Sequence, residues 1–404
     1  MAKLDQIEQF NIGNIFPESY EDTYLATRHI AEKPIDIPEN VIVKLKEKIV
    51  ENGVYFGDDN LLREIVAGLV KGNIILQGPP GTGKTTLAKI ICEVFHVNFD
   101  EATAISDWTT YDTIGGLQPD TDEAGHEILK GKNGCIVESI IHCCNSVVQN
   151  EHYDGAKQAS WLILDELNRC EIDKVFGELF TAFGNDSLTT AKSIRLWYEK
   201  DENKKCIYIP NRYRIIGAMN NIDKNFVFDI SQGLSRRFTF IEILPPAEEY
   251  FETEVENAKI QAKKRVIGKV GNYGAQKIND SFFETLNNHG AFLSSEREMK
   301  DFIRHIRYQR AEDASYLGLA LGTAQIIDAY ETLYISLILD GSDFAILEKK
   351  DVLSMIDMVV ASRIVPQIDG FDYMKLNAFY TAISEKSEFN MFHKSKSAIL
   401  KYIH

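Results

Sequence analysis

The chain has 404 residues, 44% of them hydrophobic and 26% charged, and carries a net charge of −16. That length allows two or three domains with substantial cores, and the acidic balance works against broad non-specific binding to nucleic acid, whose phosphates it would repel. None of the six cysteines forms a C-x-x-C pair, so neither a zinc site nor a redox motif is indicated, and reduced thiols in a cytoplasmic setting are expected.

The N-terminus, MAKLDQIEQF, lacks the apolar run of a signal peptide. Residues 1–52 read as a short lead-in segment broken by Pro17, Pro34 and Pro38, with a helix over 39–50. They are too few for a dedicated DNA-reading domain of ordinary size. Asn60 is a suitable N-cap for a helix over 61–71, which Gly72 ends. Ile74, Ile75 and Leu76 then form the apolar run of a buried parallel strand. Gly78-Pro79-Pro80-Gly81-Thr82-Gly83-Lys84-Thr85 follows and fits the phosphate-binding pattern G-x-x-x-x-G-K-[ST]. Beyond it Leu87, Ile90, Ile91 and Phe95 recur at helical spacing.

Residues 97–103 read as a second strand, 107–116 as a loop, and 118–133 as a polar region with a short strand at Ile128-Leu129. An amphipathic helix spans 136–149, and His142-Cys143-Cys144 on it read as ordinary packing rather than as ligands. A buried strand, Trp161 to Leu164, runs into Asp165-Glu166, and a helix is expected over 172–183. A hairpin over 194–198 and 206–209, a core strand over 214–218 ending at Met219-Asn220, and a last strand over 238–244 complete an αβ core over 53–246. After Pro245-Pro246 the pattern turns helical through 247–404. Ala314 to Leu339 is the most apolar long stretch, but Gln325, Asp328 and Glu331 make it a buried helix rather than a membrane span. The expected fold class is therefore α/β: a P-loop αβα core on a parallel sheet, followed by an α-helical region.

The chemistry follows from the glycine-rich turn. Its backbone N–H groups and the positive end of the next helix can cradle phosphates, with Gly78 through Thr86 as the binding residues. Lys84 can reach the β- and γ-phosphates, and the Thr85 hydroxyl can ligate Mg²⁺. Asp165 can share that ion, and Glu166 can orient or deprotonate an attacking water. Asn220 can hold the same water without adding charge, although Asn-Asn-Ile-Asp is also good turn chemistry. Arg236 and Arg237 precede the last strand, where one can reach a nucleotide bound by a neighbouring copy; the plainer reading is a solvated basic pair. Ser295 and Glu298 have the spacing of a capping box, which would put Arg297 on the first turn of its helix, pointing at the γ-phosphate or merely pairing along its own surface. Pro119-Asp120 with Glu127 and Lys130 loosely matches a nuclease pattern, but the spacing is E-x-x-K and no strand is expected to carry it.

This set of motifs, in this order, resembles the AAA+ NTPases. GPPGTGKT is a wording that family favours, and Leu164-Asp-Glu-Leu-Asn-Arg169 resembles the D-E-I-N-R of its MoxR and McrB-type branch. Met219-Asn220-Asn221-Ile222-Asp223 resembles the M-N-T-x-D of McrB-type restriction NTPase subunits, and Tyr111 to Gly116 a loop of the same branch. Asn221 departs from the usual Thr, and Cys170 stands where a small residue is common. The resemblance implies an αβ core with an α-helical lid, hydrolysis of ATP or GTP with Mg²⁺, and ring-shaped homo-oligomers, commonly hexamers, driving a separate effector subunit such as a nuclease. DNA would be met only within that assembly, and no membrane is implied. It also implies Asn220 as sensor 1, Arg236 or Arg237 as the arginine finger, Arg297 as sensor 2 and Asp223 as the signature aspartate. A protein-remodelling chaperone of MoxR type and a nucleotide-gated scaffold with little turnover are the alternatives.

Overall fold

The computed structural model describes residues 33–54, 59–121, 125–177, 179–183, 192–200, 205–220, 232–274, 276–341 and 347–403. Asp223 and most of the lead-in segment lie outside them. Three apolar runs build the centre of the sheet: β1 (Asn73–Gly78), β5 (Ser160–Asp165) and β8 (Ile215–Asn220). Nearly all their residues are buried, as both faces of a helix-covered parallel sheet require. With β2 (Asn98–Thr103) and β9 (Phe238–Glu242) they form a five-stranded, all-parallel sheet in the order β2-β5-β8-β1-β9. The register sets Gly78 opposite Asn220 and Thr103 opposite Asp165. The polar ends of the three central strands therefore arrive at one edge.

Helices α1 (Val41–Glu51), α2 (Asp59–Lys71), α3 (Lys84–Val94) and α4 (Cys135–His152) fill the connections. Ile90, Ile91 and Phe95 bury the inner side of the α3 region, and the Phe95 ring lies 5.3 Å from that of Trp161. On α4, Cys143 and Cys144 are buried in the packing, while exposed His142 pairs with Asp100 at 3.0 Å.

Three expectations are corrected here. The loop over 107–116 contains a short helix, Thr110–Thr113, fixed by a reciprocal cap between Thr109 and Asp112. The polar region is a full antiparallel hairpin, β3 (Gly115–Thr121) with β4 (Glu127–Asn133), rather than a brief strand. That hairpin carries the nuclease-like residues on strands after all, yet Lys130 only pairs with Asp120 at 3.4 Å on an exposed surface. The helix over 172–183 is broken into Ile172–Phe176 and Leu179–Phe183 at Gly177, whose backbone (φ 38°, ψ −116°) is not helical. A second small hairpin pairs β6 (Ser193–Arg195) with β7 (Cys206–Tyr208).

The chain divides into two compact units. One comprises residues 1–49, 58–78 and 84–243; the other comprises 50–57, 79–83 and 244–404. The second is helical: α5 (Phe251–Lys269), α6 (Asp280–Asn287), α7 (Gly290–Arg307), α8 (Thr323–Asp340), α9 (Lys349–Val359), α10 (Tyr373–Glu385) and α11 (His393–Leu400). Its core is aromatic, with Phe302 stacked on Phe392 at 4.5 Å and Phe283 edge-on to Tyr334 at 5.0 Å. Asp357 of α9 accepts from Lys394 N and Ser395 N and so caps α11. No helix among the described residues is long and apolar enough to cross a membrane.

One ion pair in this unit is fully buried. Arg307 Nη1 donates to Glu254 Oε2 at 2.6 Å, and the hydroxyl of Thr323 donates to the other oxygen of Glu254. Removing one partner strands a charge out of water. Glu254→Ala is expected to lower the unfolding free energy by about 3 kcal/mol or more, read by urea denaturation.

Ser295 and Glu298 do not cap a helix. Helix α7 begins five residues earlier, at Gly290, and Ser295 Oγ bonds back to Ala291 O at 2.8 Å. Glu298 pairs with Lys349, and buried Glu296 accepts from Lys259 and Tyr330, each at 2.9 Å. Arg297 thus sits two turns into the helix, exposed.

Candidate active site

The site grows from the carboxyl ends of β1, β5 and β8. Gly78 ends β1 against the chain leaving β9: a Cβ there would fall 2.1 Å from Ile243 O. The turn then needs left-handed backbone, and Gly83 supplies it at φ 83° before α3 starts at Lys84. Thr82 Oγ1 donates to Pro79 O at 3.0 Å, tying the turn to itself.

Lys84 is buried, and its ammonium donates to Gly78 O at 3.0 Å and to Asn220 Oδ1 at 2.8 Å. The other side of the Asn220 amide donates to both carboxylate oxygens of Glu166 at 3.0 Å. Asn220 thus links a cation to a carboxylate through one neutral group. Beside this relay, Thr85 Oγ1 donates to Asp165 Oδ2 at 2.8 Å, and Glu166 N donates to Asp165 Oδ1 at 2.9 Å. Glu166 adopts a left-handed backbone, φ 56° and ψ 35°, a strained setting for a residue with a side chain. That twist turns its carboxylate toward Asn220, away from the direction Asp165 takes.

The Thr85 and Asp165 oxygens suit a small hard cation. Two neighbouring ligands of an octahedral ion with bonds of about 2.0–2.1 Å sit roughly 2.9 Å apart, close to the spacing here. Mg²⁺ held by these two groups would draw its other ligands from water and phosphate oxygens. Among the described residues no cluster of three or more His, Cys, Asp or Glu side chains offers a richer cage.

Burial lowers the pKa of Lys84 to about 8, although the carboxylates of Asp165 and Glu166 pull it upward. Phosphates bind the protonated form. Nucleotide affinity is therefore expected to be flat below about pH 7.5 and to fall toward tenfold per pH unit above about 8. Titrating a fluorescent nucleotide at constant ionic strength checks this; an affinity unchanged between pH 7 and 9 would contradict it.

Two participants were not singled out as site residues from the sequence. Arg169 Nε donates to Glu166 Oε2 at 3.2 Å, and buried Asn168 accepts from the Asn220 backbone N–H at 3.1 Å. Their signal lay in the Asn-Arg that follows Asp-Glu-Leu. The two arginines before β9 separate. Arg237 donates to Phe180 O and Gly233 O, with its guanidinium 5.4 Å from the Phe180 ring, whereas Arg236 is exposed. Thr86 is exposed on the first turn of α3.

Residues 73–238, from the first residue of β1 to the first of β9, match the family described as AAA domain (dynein-related subfamily). This stretch is an AAA domain of that subfamily. Over 186 residues the chain is 31% identical to the type IV methyl-directed restriction enzyme EcoKMcrB subunit of Escherichia coli (strain K12), a match covering 44% of this chain and 36% of that protein. The chain thus spans about a third of the relative's length. Among solved structures, two mutant forms of Thermotoga maritima RuvB align with TM-scores of 0.41 and 0.39, at 13% and 14% identity. They cover 88% and 86% of this chain and 90% and 88% of their own.

Proposed function

We propose that the chain hydrolyses a purine nucleoside triphosphate, ATP or GTP, as a subunit of a homo-oligomeric ring, and that the ring drives a separate effector subunit. The relay Lys84–Asn220–Glu166 beside the Thr85–Asp165 pair is the observation that carries this reading. Bound Mg²⁺ would neutralise charge developing on the phosphates. Lys84 would hold the β- and γ-oxygens, Asn220 would position a water, and Glu166 would accept its proton. Arg236, whose side chain has no backbone partner among the described residues, would enter the site of an adjoining copy, and Arg297 would serve as the sensor on the helical lid, residues 247–404. The description of the McrB subunit as part of a methyl-directed restriction enzyme supports a nuclease-like effector, with DNA met in the assembly.

A mixing experiment tests the shared site. Arg236→Ala is expected to lower turnover about 10³-fold while nucleotide affinity is kept. Lys84→Ala protein lacks a working P-loop but still offers Arg236. Combining the two inactive proteins should restore turnover, because each supplies what the other lacks. Two proteins that stay inactive on mixing, though they co-assemble, would exclude a shared site.

A further inference from the structure

A cavity of about 530 Å³ lies within the αβ unit at the amino ends of β1, β8 and β9, lined by Asn73, Arg214 and Phe238 among others. The P-loop chemistry gathers at the carboxyl ends of the same strands. Six residues of β1 separate the two, roughly 17 Å at the usual rise. The cavity is therefore a different place from the one described above.

Its charged lining is of one sign. Lys71, Lys192, Arg214, Arg236 and Arg237 face it, and among the described residues no Asp or Glu lines it. In a chain of net charge −16 that is a marked local reversal. Among the described residues Lys71, Arg214, Arg236 and Arg237 have no carboxylate partner. Buried Arg214 donates only to carbonyls: Leu69 and Val70 at the end of α2, Asn211 and Tyr213. The helix end offsets about half a unit of positive charge, which leaves most of the charge on these four without a carboxylate counterpart among the described residues. Burial lowers the pKa of Arg214 to about 10, still charged at neutral pH. Part of the remaining wall is apolar, with the rings of Phe183 and Tyr213 stacked 15° from parallel, and Asn73, Asn211 and Thr239 line the rest among others. The volume falls in the range of small-molecule sites and is too large for one phosphate.

We propose that this cavity binds a phosphorylated small molecule with a flat apolar body, of the nucleoside monophosphate or diphosphate class, as a second site separate from the P-loop. Phosphate oxygens meet Lys71, Lys192 and the arginines, and the body lies on the apolar wall. A ligand here engages Arg236, so occupancy lowers turnover; that last clause rests on the role proposed for Arg236, whereas binding does not.

The test uses the full chain carrying Lys84→Ala, which disables the P-loop. Titrated with N-methylanthraniloyl-ADP, it should keep one saturable component per chain. Lys71→Glu with Lys192→Glu in that background should weaken this component at least tenfold, and Lys71→Gln with Lys192→Gln should weaken it less, with thermal unfolding unchanged in the neutral pair. AMP should displace the probe at concentrations where inorganic phosphate does not. No saturable component in the Lys84→Ala protein would overturn the proposal, as would a component indifferent to both double variants. Equal displacement by inorganic phosphate would overturn the apolar-body assignment. Loss of self-association in the charge-reversed protein, without any probe binding before reversal, would instead mean that a second copy's acidic surface occupies the cavity, and would also overturn it.

Discussion

Glu166→Gln protein is expected to bind nucleotide with wild-type affinity and to turn it over about 10³-fold more slowly. The substitution keeps shape and can keep one hydrogen bond with Asn220, but it removes the acceptor for a proton. The loss should fall on kcat, because in the role proposed for it Glu166 acts on the water and not on the resting phosphates. Its left-handed backbone strengthens the expectation: a strained conformation is kept at this position although residues of ordinary backbone are available on either side. Steady-state hydrolysis and equilibrium binding, measured on the same preparation, separate the two parameters. Turnover at the wild-type rate would remove Glu166 from the reaction.

Lys84→Ala should show the opposite pattern, with affinity lost first. The ammonium is held in a buried position between Gly78 O and Asn220 Oδ1, so it is already aimed when a phosphate arrives. Its removal deletes a desolvated charge contact worth several kcal/mol, and nucleotide affinity should fall about 10³-fold. The fold should survive, since the Asn220 amide keeps its bonds to Glu166. Isothermal titration with Mg²⁺ and nucleotide is the direct reading. Affinity within threefold of wild type would mean that Lys84 does not hold phosphate.

The parts of the site that could be read from sequence are those whose residues are contiguous. Gly78 to Thr85 and Leu164 to Glu166 each sit at the end of an apolar run, so strand, turn and chemistry are written in one stretch. The bond from Asn220 to Glu166 joins residues 54 apart and exists only through the β5–β8 pairing. Arg169 is exposed and its partner is local, yet its aim depends on the twist at Glu166, which no composition signal reports. The β3–β4 hairpin escaped notice because β4 is exposed on both faces through Lys132, so no alternation of apolar and polar residues marks it. The start of α7 escaped because His289 and Gly290 offer no capping side chain, while Ser295 and Glu298 imitate one inside the helix. Gly177 lies inside an apolar run of helical spacing, but its backbone shows that the chain turns there.

Where the chain departs from β9, Ile243 N is bonded to Gln77 O at 2.7 Å, and its carbonyl lies where any side chain on Gly78 would have to go. The exit of the last strand and the entry to the phosphate turn are thereby fastened with no slack between them. A displacement of residue 77 must therefore be shared by residue 243, or the bond between them breaks.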